Sequence, residues 1–342
     1  MRAIAVTAVL ALSVWTAPVH AGPPTAPTVV VVARGETSPV GTGNADAADD
    51  PAIWRNAARP SDSLIVATDK KAGLHVYGMD GQPRDFVNAG RVNNVDLIEM
   101  GKSGVIVVAS DRNDEAQARL LIYRLDTSAA KLVPLGSVAG GAGEAYGVCL
   151  AARGDEIDAY SVLKHGAIHQ VRVSLAGPTP AGRIMRSLHL PSQTEGCVVD
   201  QRTGTLYVGE EGRGIWAFSS AESSNAGSLV AQVDGNHLVA DVEGLAIFPE
   251  GRRGGWLIAS SQGDNAYALF RLPDITPAGR FRITAGRFGA AEETDGIAVA
   301  PGSFGAGFPE GLFVAQDGQN EPAAQNFKLV SWRAIRRAVG AK

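Results

Sequence analysis

The chain has 342 residues, a formal net charge of −4, 19% charged residues and 41 glycines. That charge argues against non-specific nucleic-acid binding, and two cysteines are too few for a disulfide scaffold. With few long amphipathic helical patterns, the composition suits many short strands joined by tight turns.

Arg2, the apolar residues 4–14 and the small-residue pattern Val19-His20-Ala21 read as a secretory signal peptide cut near Ala21. Residues 22–342 are then one domain, secreted or periplasmic. The apolar run is too short for a transmembrane span, and nothing later resembles one.

The next distinctive stretch is Asp46-Ala47-Ala48-Asp49-Asp50-Pro51-Ala52-Ile53-Trp54. Such crowded carboxylates repel one another and are best tolerated in water or around a cation. Pro51 pushes Asp50 towards an extended conformation, so Ala-Ile-Trp can run inward as a strand. Taken alone, the run reads as a solvated acidic loop. What lifts it is recurrence.

Strand-like runs occupy 63–68, 105–110, 205–209, 256–260 and 311–315, each followed by a polar turn. After most of these turns a second strand follows, as at 73–77, 120–123, 214–218 and 266–270, and the pairs read as hairpins. Ahead of each unit sits a polar residue before a small or apolar one: Asp50-Pro51, Asp96-Leu97, Tyr146-Gly147, Glu195-Gly196, Glu243-Gly244 and Asp295-Gly296. The intervals of 46, 50, 49, 48 and 52 residues are those of propeller blades. The expected fold is all-β: a six-bladed β-propeller of four- to five-stranded antiparallel blades around a central channel. Equivalent positions then form a ring of five carboxylates and one tyrosine. Residues 28–33 are expected to complete the last blade and close the ring. Ser331-Trp332-Arg333-Ala334-Ile335 reads as a short terminal helix capped by Ser331.

Carboxylates without a Cys or His cluster select hard cations, calcium better than magnesium. The acidic candidates are Asp49, Asp50, Asp96, Glu195, Glu210, Glu211, Asp241, Glu243, Asp295 and Asp317. Asn93, Asn94, Gln262, Asn265, Asn320 and Asn326 add neutral oxygens. Lys70, Lys71, Arg112 and Lys164 lie just beyond matching strands, which suits an anionic, phosphorylated substrate. Gly101-Lys102-Ser103 lacks the earlier glycine of a phosphate-binding loop, and His165 and His169 lack metal spacing. Cys149 and Cys197 occupy similar places in neighbouring repeats; pairing and two buried thiols both remain open.

These residues resemble the β-propeller phytases, also called alkaline phytases. The likeness is carried by Asp46 to Trp54 as spelled above, Asn93-Asn94-Val95-Asp96-Leu97, Thr68-Asp69-Lys70-Lys71-Ala72-Gly73-Leu74 and Gln193-Thr194-Glu195-Gly196. Further matches are Glu210-Glu211, Asp241-Val242-Glu243-Gly244-Leu245, Ala259-Ser260-Ser261-Gln262-Gly263, Glu293-Thr294-Asp295-Gly296, Val314-Ala315-Gln316-Asp317-Gly318 and Gln325-Asn326-Phe327-Lys328. The chain departs from the pattern at Ile98, where arginine is usual, and at His165, where an acid often follows the lysine.

The resemblance implies calcium-dependent hydrolysis of phytate, myo-inositol hexakisphosphate, by a monomer using several calcium ions and taking calcium-phytate as substrate, with no nucleic-acid or membrane partner. It implies that Asp50, Asp96, Glu195, Glu211, Asp241, Glu243 and Asp295 ligate calcium at the cleavage site, with Glu210 adjacent. It gives Asp317 and Asn326 a place near structural calcium, and phosphate contact to Lys70, Arg112, Tyr146 and Lys164. Glu195 and Glu211 also belong to the catalytic set, since carboxylate help deprotonates the calcium-bound water that attacks phosphorus. The competing readings are a calcium propeller acting on lactones or other esters, and a non-catalytic calcium-stabilised propeller that binds phosphorylated ligands or a protein partner.

Overall fold

A computed structural model describes residues 26–43 and 46–340. The expected signal peptide lies outside these residues. The described chain forms six sheets in sequence order, each starting with an innermost strand. The inner strands are Ala48–Trp54, Val92–Glu99, Ala145–Arg153, Thr194–Asp200, Val242–Glu250 and Ile297–Pro301, in blades 1 to 6. Each packs against its two neighbours, and blade 6 returns to blade 1, so the ring closes. The hydrophobic runs become the second strands, such as Leu64–Asp69 and Val105–Asp111, buried along their whole length. Burial on both faces explains why they read as continuous apolar runs rather than as alternations. The core is divided into clusters between adjacent blades, so each sheet is sandwiched by its neighbours.

Closure differs from the sequence expectation. Thr28–Val32 does not complete blade 6; it adds a fifth strand to blade 5, parallel to Thr276–Thr284. The two-residue strand Gly35–Glu36 then crosses to blade 6 and pairs antiparallel with Asn326–Ser331. One N-terminal segment thus covers the outer edges of two blades. The terminal helix spans Trp332–Ala338 with Ser331 at its N-cap, but the serine side chain makes no capping hydrogen bond. What anchors the helix is burial of Trp332 and Ile335, with Trp332 stacked on Phe248 at 4.5 Å.

Cys149 and Cys197 form a disulfide between the inner strands of blades 3 and 4, with Cα atoms 5.7 Å apart. Among the described residues no helix is long and apolar enough to cross a membrane.

Candidate active site and metal centre

Near their starts, the inner strands of blades 1 to 5 are interrupted by an irregularity that places two residues out of register with the second strand. In blades 1 to 5 these pairs are Asp49-Asp50, Asn93-Asn94, Tyr146-Gly147, Glu195-Gly196 and Glu243-Gly244. Asp295-Gly296 holds the same place ahead of Ile297 in blade 6. A bulge re-aims a side chain that the regular pleat would direct elsewhere. Glycine at the second position lets neighbouring blades approach. A Cβ at Gly196 would stand 2.1 Å from the Glu243 carbonyl oxygen, and one at Gly296 2.5 Å from that of Asp49.

A second tier follows from the second strands. The residue just past each one donates its backbone N–H to a carbonyl ahead of the inner strand: Lys70 to Ala47, Arg112 to Arg91, Lys164 to Glu144, Glu211 to Gln193, Gln262 to Asp241 and Gly318 to Glu292. The mouth is therefore polarised. Blades 1 to 3 present Lys70, Arg112 and Lys164; blades 4 and 5 present Glu211 and Gln262 at the same level.

The carboxylates converge around a cavity of ≈ 520 Å³ whose lining includes Lys70, Tyr146, Glu195, Glu211, Asp241, Glu243 and Asp295. Glu195, Glu211 and Glu243 each offer an oxygen within 4.8 Å of the others, and all three are buried. Burial holds the carboxyls of Glu195 and Glu243 well above the ordinary range. The charges of Glu243 and Asp49 add to the rise at Glu195, and those of Asp295 and Glu211 to that at Glu243. Glu211 is also raised, chiefly by burial. Burial pushes Asp49 up to about 7, with Lys70 pulling the other way. Asp49 Oδ1, Glu211 Oε1 and Glu243 Oε2 are buried without a hydrogen-bond partner, and Asp49 Oδ2 has only the Lys70 ammonium, 3.3 Å away. Orphaned oxygens in a crowded anionic pocket fit a hard divalent cation, which supplies the missing positive charge.

Lys70 bridges one side of this set, with its Nζ 2.7 Å from Asp46, 2.8 Å from Asp295 and 3.3 Å from Asp49. Burial pulls Lys70 down, but Asp49, Asp295 and Asp46 outweigh it and hold the ammonium charged. Two cations lie near the Tyr146 ring, with Arg112 5.5 Å and Lys164 5.1 Å from its centroid. Burial, then Glu195 and Glu243, raise its phenol, which stays protonated at neutral pH.

The phytase family model matches residues 1–342. The chain belongs to the phytase family. It is 36% identical over 330 residues to the 3-phytase of Bacillus subtilis (strain 168), covering 91% of this chain and 85% of that protein. Two solved structures share its fold at low identity. The PQQ-bound aldose sugar dehydrogenase of Streptomyces coelicolor has a TM-score of 0.52 at 12% identity, covering 90% of this chain and 100% of that one. A chain of the mitotic checkpoint complex has a TM-score of 0.51 at 13% identity, covering 96% and 86%. This phytase-family chain is a hydrolase homologous to 3-phytase.

Not every expected site residue reaches the pocket of this phytase-family chain. The ring position in blade 1 is Asp49, not Asp50, and in blade 2 it is Asn93, not Asp96. Asp50 accepts a hydrogen bond from the Val95 N–H at 3.0 Å, and Asp96 from those of Leu97 at 2.7 Å and Leu150 at 2.8 Å. Both line a separate cavity of ≈ 230 Å³ walled by the inner strands. Asp96 is pushed up to about 7 by burial. Glu210 turns into blade 4, where Ser192 donates to it at 2.5 Å and Trp216 Nε1 at 2.8 Å; its neighbour Glu211 takes the pocket.

Asp317 and Asn326 sit apart, beside the buried Lys328 in blade 6. Asp317 lies 3.1 Å from its Nζ, and the Asn326 oxygen is buried without a partner. Sequence reasoning gave Asn93 and Glu144 no role in the phosphate-binding set. Asn93 donates to Glu195 at 2.8 Å and accepts from Arg112, while Glu144 lies 2.6 Å from Arg112. The two-residue bulge, with glycine second in four blades, is the signal that locates Asn93.

Proposed function

We propose that the chain is a calcium-dependent phosphomonoesterase acting on phytate. The observation that carries this reading is the polarised mouth, with the unpartnered buried oxygens of Glu211 and Glu243 on one side and Lys70, Arg112 and Lys164 on the other. Glu195, Glu211 and Glu243, with Asp49, Asp295 and Asp241 beside them, would hold the cations. Calcium there would supply positive charge that neutralises phosphate oxygens and acidifies water. Phytate alone would be repelled by the carboxylates, so the calcium complex is the substrate.

The chain's own groups orient the ester. Lys70, Arg112 and Lys164 donate charge-assisted hydrogen bonds to non-bridging oxygens. Tyr146, kept protonated, donates one more. Carboxylates of the same set accept the proton given up by a water attacking phosphorus in line. Export to an oxidising compartment agrees with the Cys149–Cys197 bond. The chain acts as a monomer in this reading.

The test is phosphate release from phytate by the purified protein with calcium, after chelation, and after calcium is restored. We expect activity to disappear and return. Turnover that survives complete chelation would sink the proposal.

A further inference from the structure

Two of the cations that meet the phosphate are not held by the calcium-binding carboxylates. Arg112 and Lys164 both lie near the ring of Tyr146 and both pair with Glu144, while the exposed Glu115 of the same cleft acts on both from farther off. Glu144 Oε1 lies 2.6 Å from Arg112 Nη2, and its Oε2 lies 3.9 Å from Lys164 Nζ. The contact with Lys164 is reinforced through the backbone, because the Lys164 N–H donates to the Glu144 carbonyl at 3.1 Å. Arg112 also donates to the Asn93 side-chain oxygen, and Asn93 Nδ2 donates to Glu195 Oε1 at 2.8 Å. A continuous chain of polar contacts thus runs from Glu195 in the acidic triad through Asn93 and Arg112 to Glu144 and Lys164.

Glu144 itself is absent from the acidic cavity and lines the adjoining cleft with Lys164 and His165. It begins the approach to the inner strand of blade 3, two residues before Tyr146. Its counterpart in blade 5, by the backbone bond its carbonyl accepts, is Asp241, which lines the acidic pocket. In blade 3 the same rung therefore carries a carboxylate that faces cations.

Without Glu144, only the exposed Glu115 offsets the repulsion between two cations near one ring, and Lys164, already 40% exposed, is free to turn towards solvent. An arginine fork paired with a carboxylate keeps its plane, so the donors left free keep their direction. Resting on the phosphomonoesterase reading above, we infer that Glu144 is a positioning residue: its charge holds Arg112 and Lys164 about Tyr146 in the arrangement the reacting phosphate meets. Glu144 neither touches the reacting atoms nor binds calcium. A small loss of orientation at such a clamp costs on the order of 10²-fold in rate.

The experiment compares wild type, Glu144→Gln and Glu144→Asp as full chains saturated with calcium. Steady-state phosphate release from phytate gives kcat and KM. Calorimetric affinity for myo-inositol hexakissulfate, a sulfate ester with the same array of anions, gives a readout that needs no turnover. Glu144→Gln should lower kcat by about 10- to 100-fold, while KM and sulfate-ester affinity stay within about threefold. Glu144→Asp, which keeps the charge, should recover most of the lost kcat.

The inference is overturned if Glu144→Gln turns over like wild type, if affinity for the sulfate ester falls as far as kcat, or if Glu144→Asp is no better than Glu144→Gln. A wild type that releases no phosphate would end the parent reading. It would end the rate role inferred for Glu144 as well, an outcome distinct from an active wild type matched by Glu144→Gln, which overturns the Glu144 inference alone.

Discussion

Burial pushes the carboxyls of Asp49 and Asp96 up to about 7, and it holds Asp50, Glu195, Glu243 and Asp295 above the usual range as well. Each of these groups keeps its proton more tightly in the folded chain than in the unfolded one. Its favourable contribution is complete below the ordinary value near 3.8 to 4.5 and drains away as pH rises through the folded value. Lys70, held above its ordinary value, contributes evenly across that window. Calcium-free protein should therefore melt at a lower temperature at pH 8 than at pH 5. Added calcium should raise the melting temperature more at pH 8, where the ligands no longer compete with protons. Thermal melts at the two pH values, with calcium and with chelator, check both signs. Glu243→Gln should flatten the calcium-free slope and shrink the calcium response.

At the scale of the element, the inner strand and its bulge decide which side chains meet. The disulfide joins two such strands three residues beyond Tyr146 and two beyond Glu195. It closes a separation of 48 residues, for which the chain-entropy account gives about 4 kcal/mol. Cys149→Ala with Cys197→Ala should lose stability on that order in guanidinium unfolding, and the loss should vanish when both proteins are compared under reducing conditions. An equal midpoint for the oxidised wild type and the double variant would contradict it.

The same strands show what the sequence could tell. Six units, their paired strands and the level of Lys70, Arg112 and Lys164 were legible because buried second strands are continuous apolar runs with polar ends. The bulge register was not. Adjacent residues of a strand address opposite sides, so a one-place error exchanges Asp49 for Asp50 and sends a carboxylate to a different cavity. In blades 4 and 5 an acid followed by glycine marks the bulge, and Asp295-Gly296 holds the matching place in blade 6, whereas blade 2 carries Asn93-Asn94 there and Asp96 is the nearest acid in its sequence. Likewise, Glu210 and Glu211 differ only in which one falls past the end of the strand.

On the scale of the whole molecule, a ring of blades must bring its first and last segments together, and here the joint is small. Gly35–Glu36 supplies two ladder positions, opposite Leu329 and Lys328. Backbone bonds from Arg34 to Leu329, Thr37 to Phe327 and Val40 to Gln325 extend this short ladder, and buried side chains add to the closure. Lys328, with no exposed side-chain surface, lies 2.7 Å from Glu36 of the closing strand and 3.1 Å from Asp317 of the neighbouring strand, and donates to Asn320 at 3.1 Å. Replacing this ammonium leaves Asp317 buried without its cation, whereas replacing Glu36, which is one-third exposed, leaves the Lys328–Asp317 pair intact. Lys328→Met should accordingly cost roughly 3–5 kcal/mol, and Glu36→Gln about 1 kcal/mol. Guanidinium unfolding of the two variants measures the difference, and limited proteolysis near residues 26–43 should show the N-terminal segment released first in Lys328→Met. Equal costs for the two substitutions would mean that the backbone ladder, and not the buried ammonium, holds the ring shut.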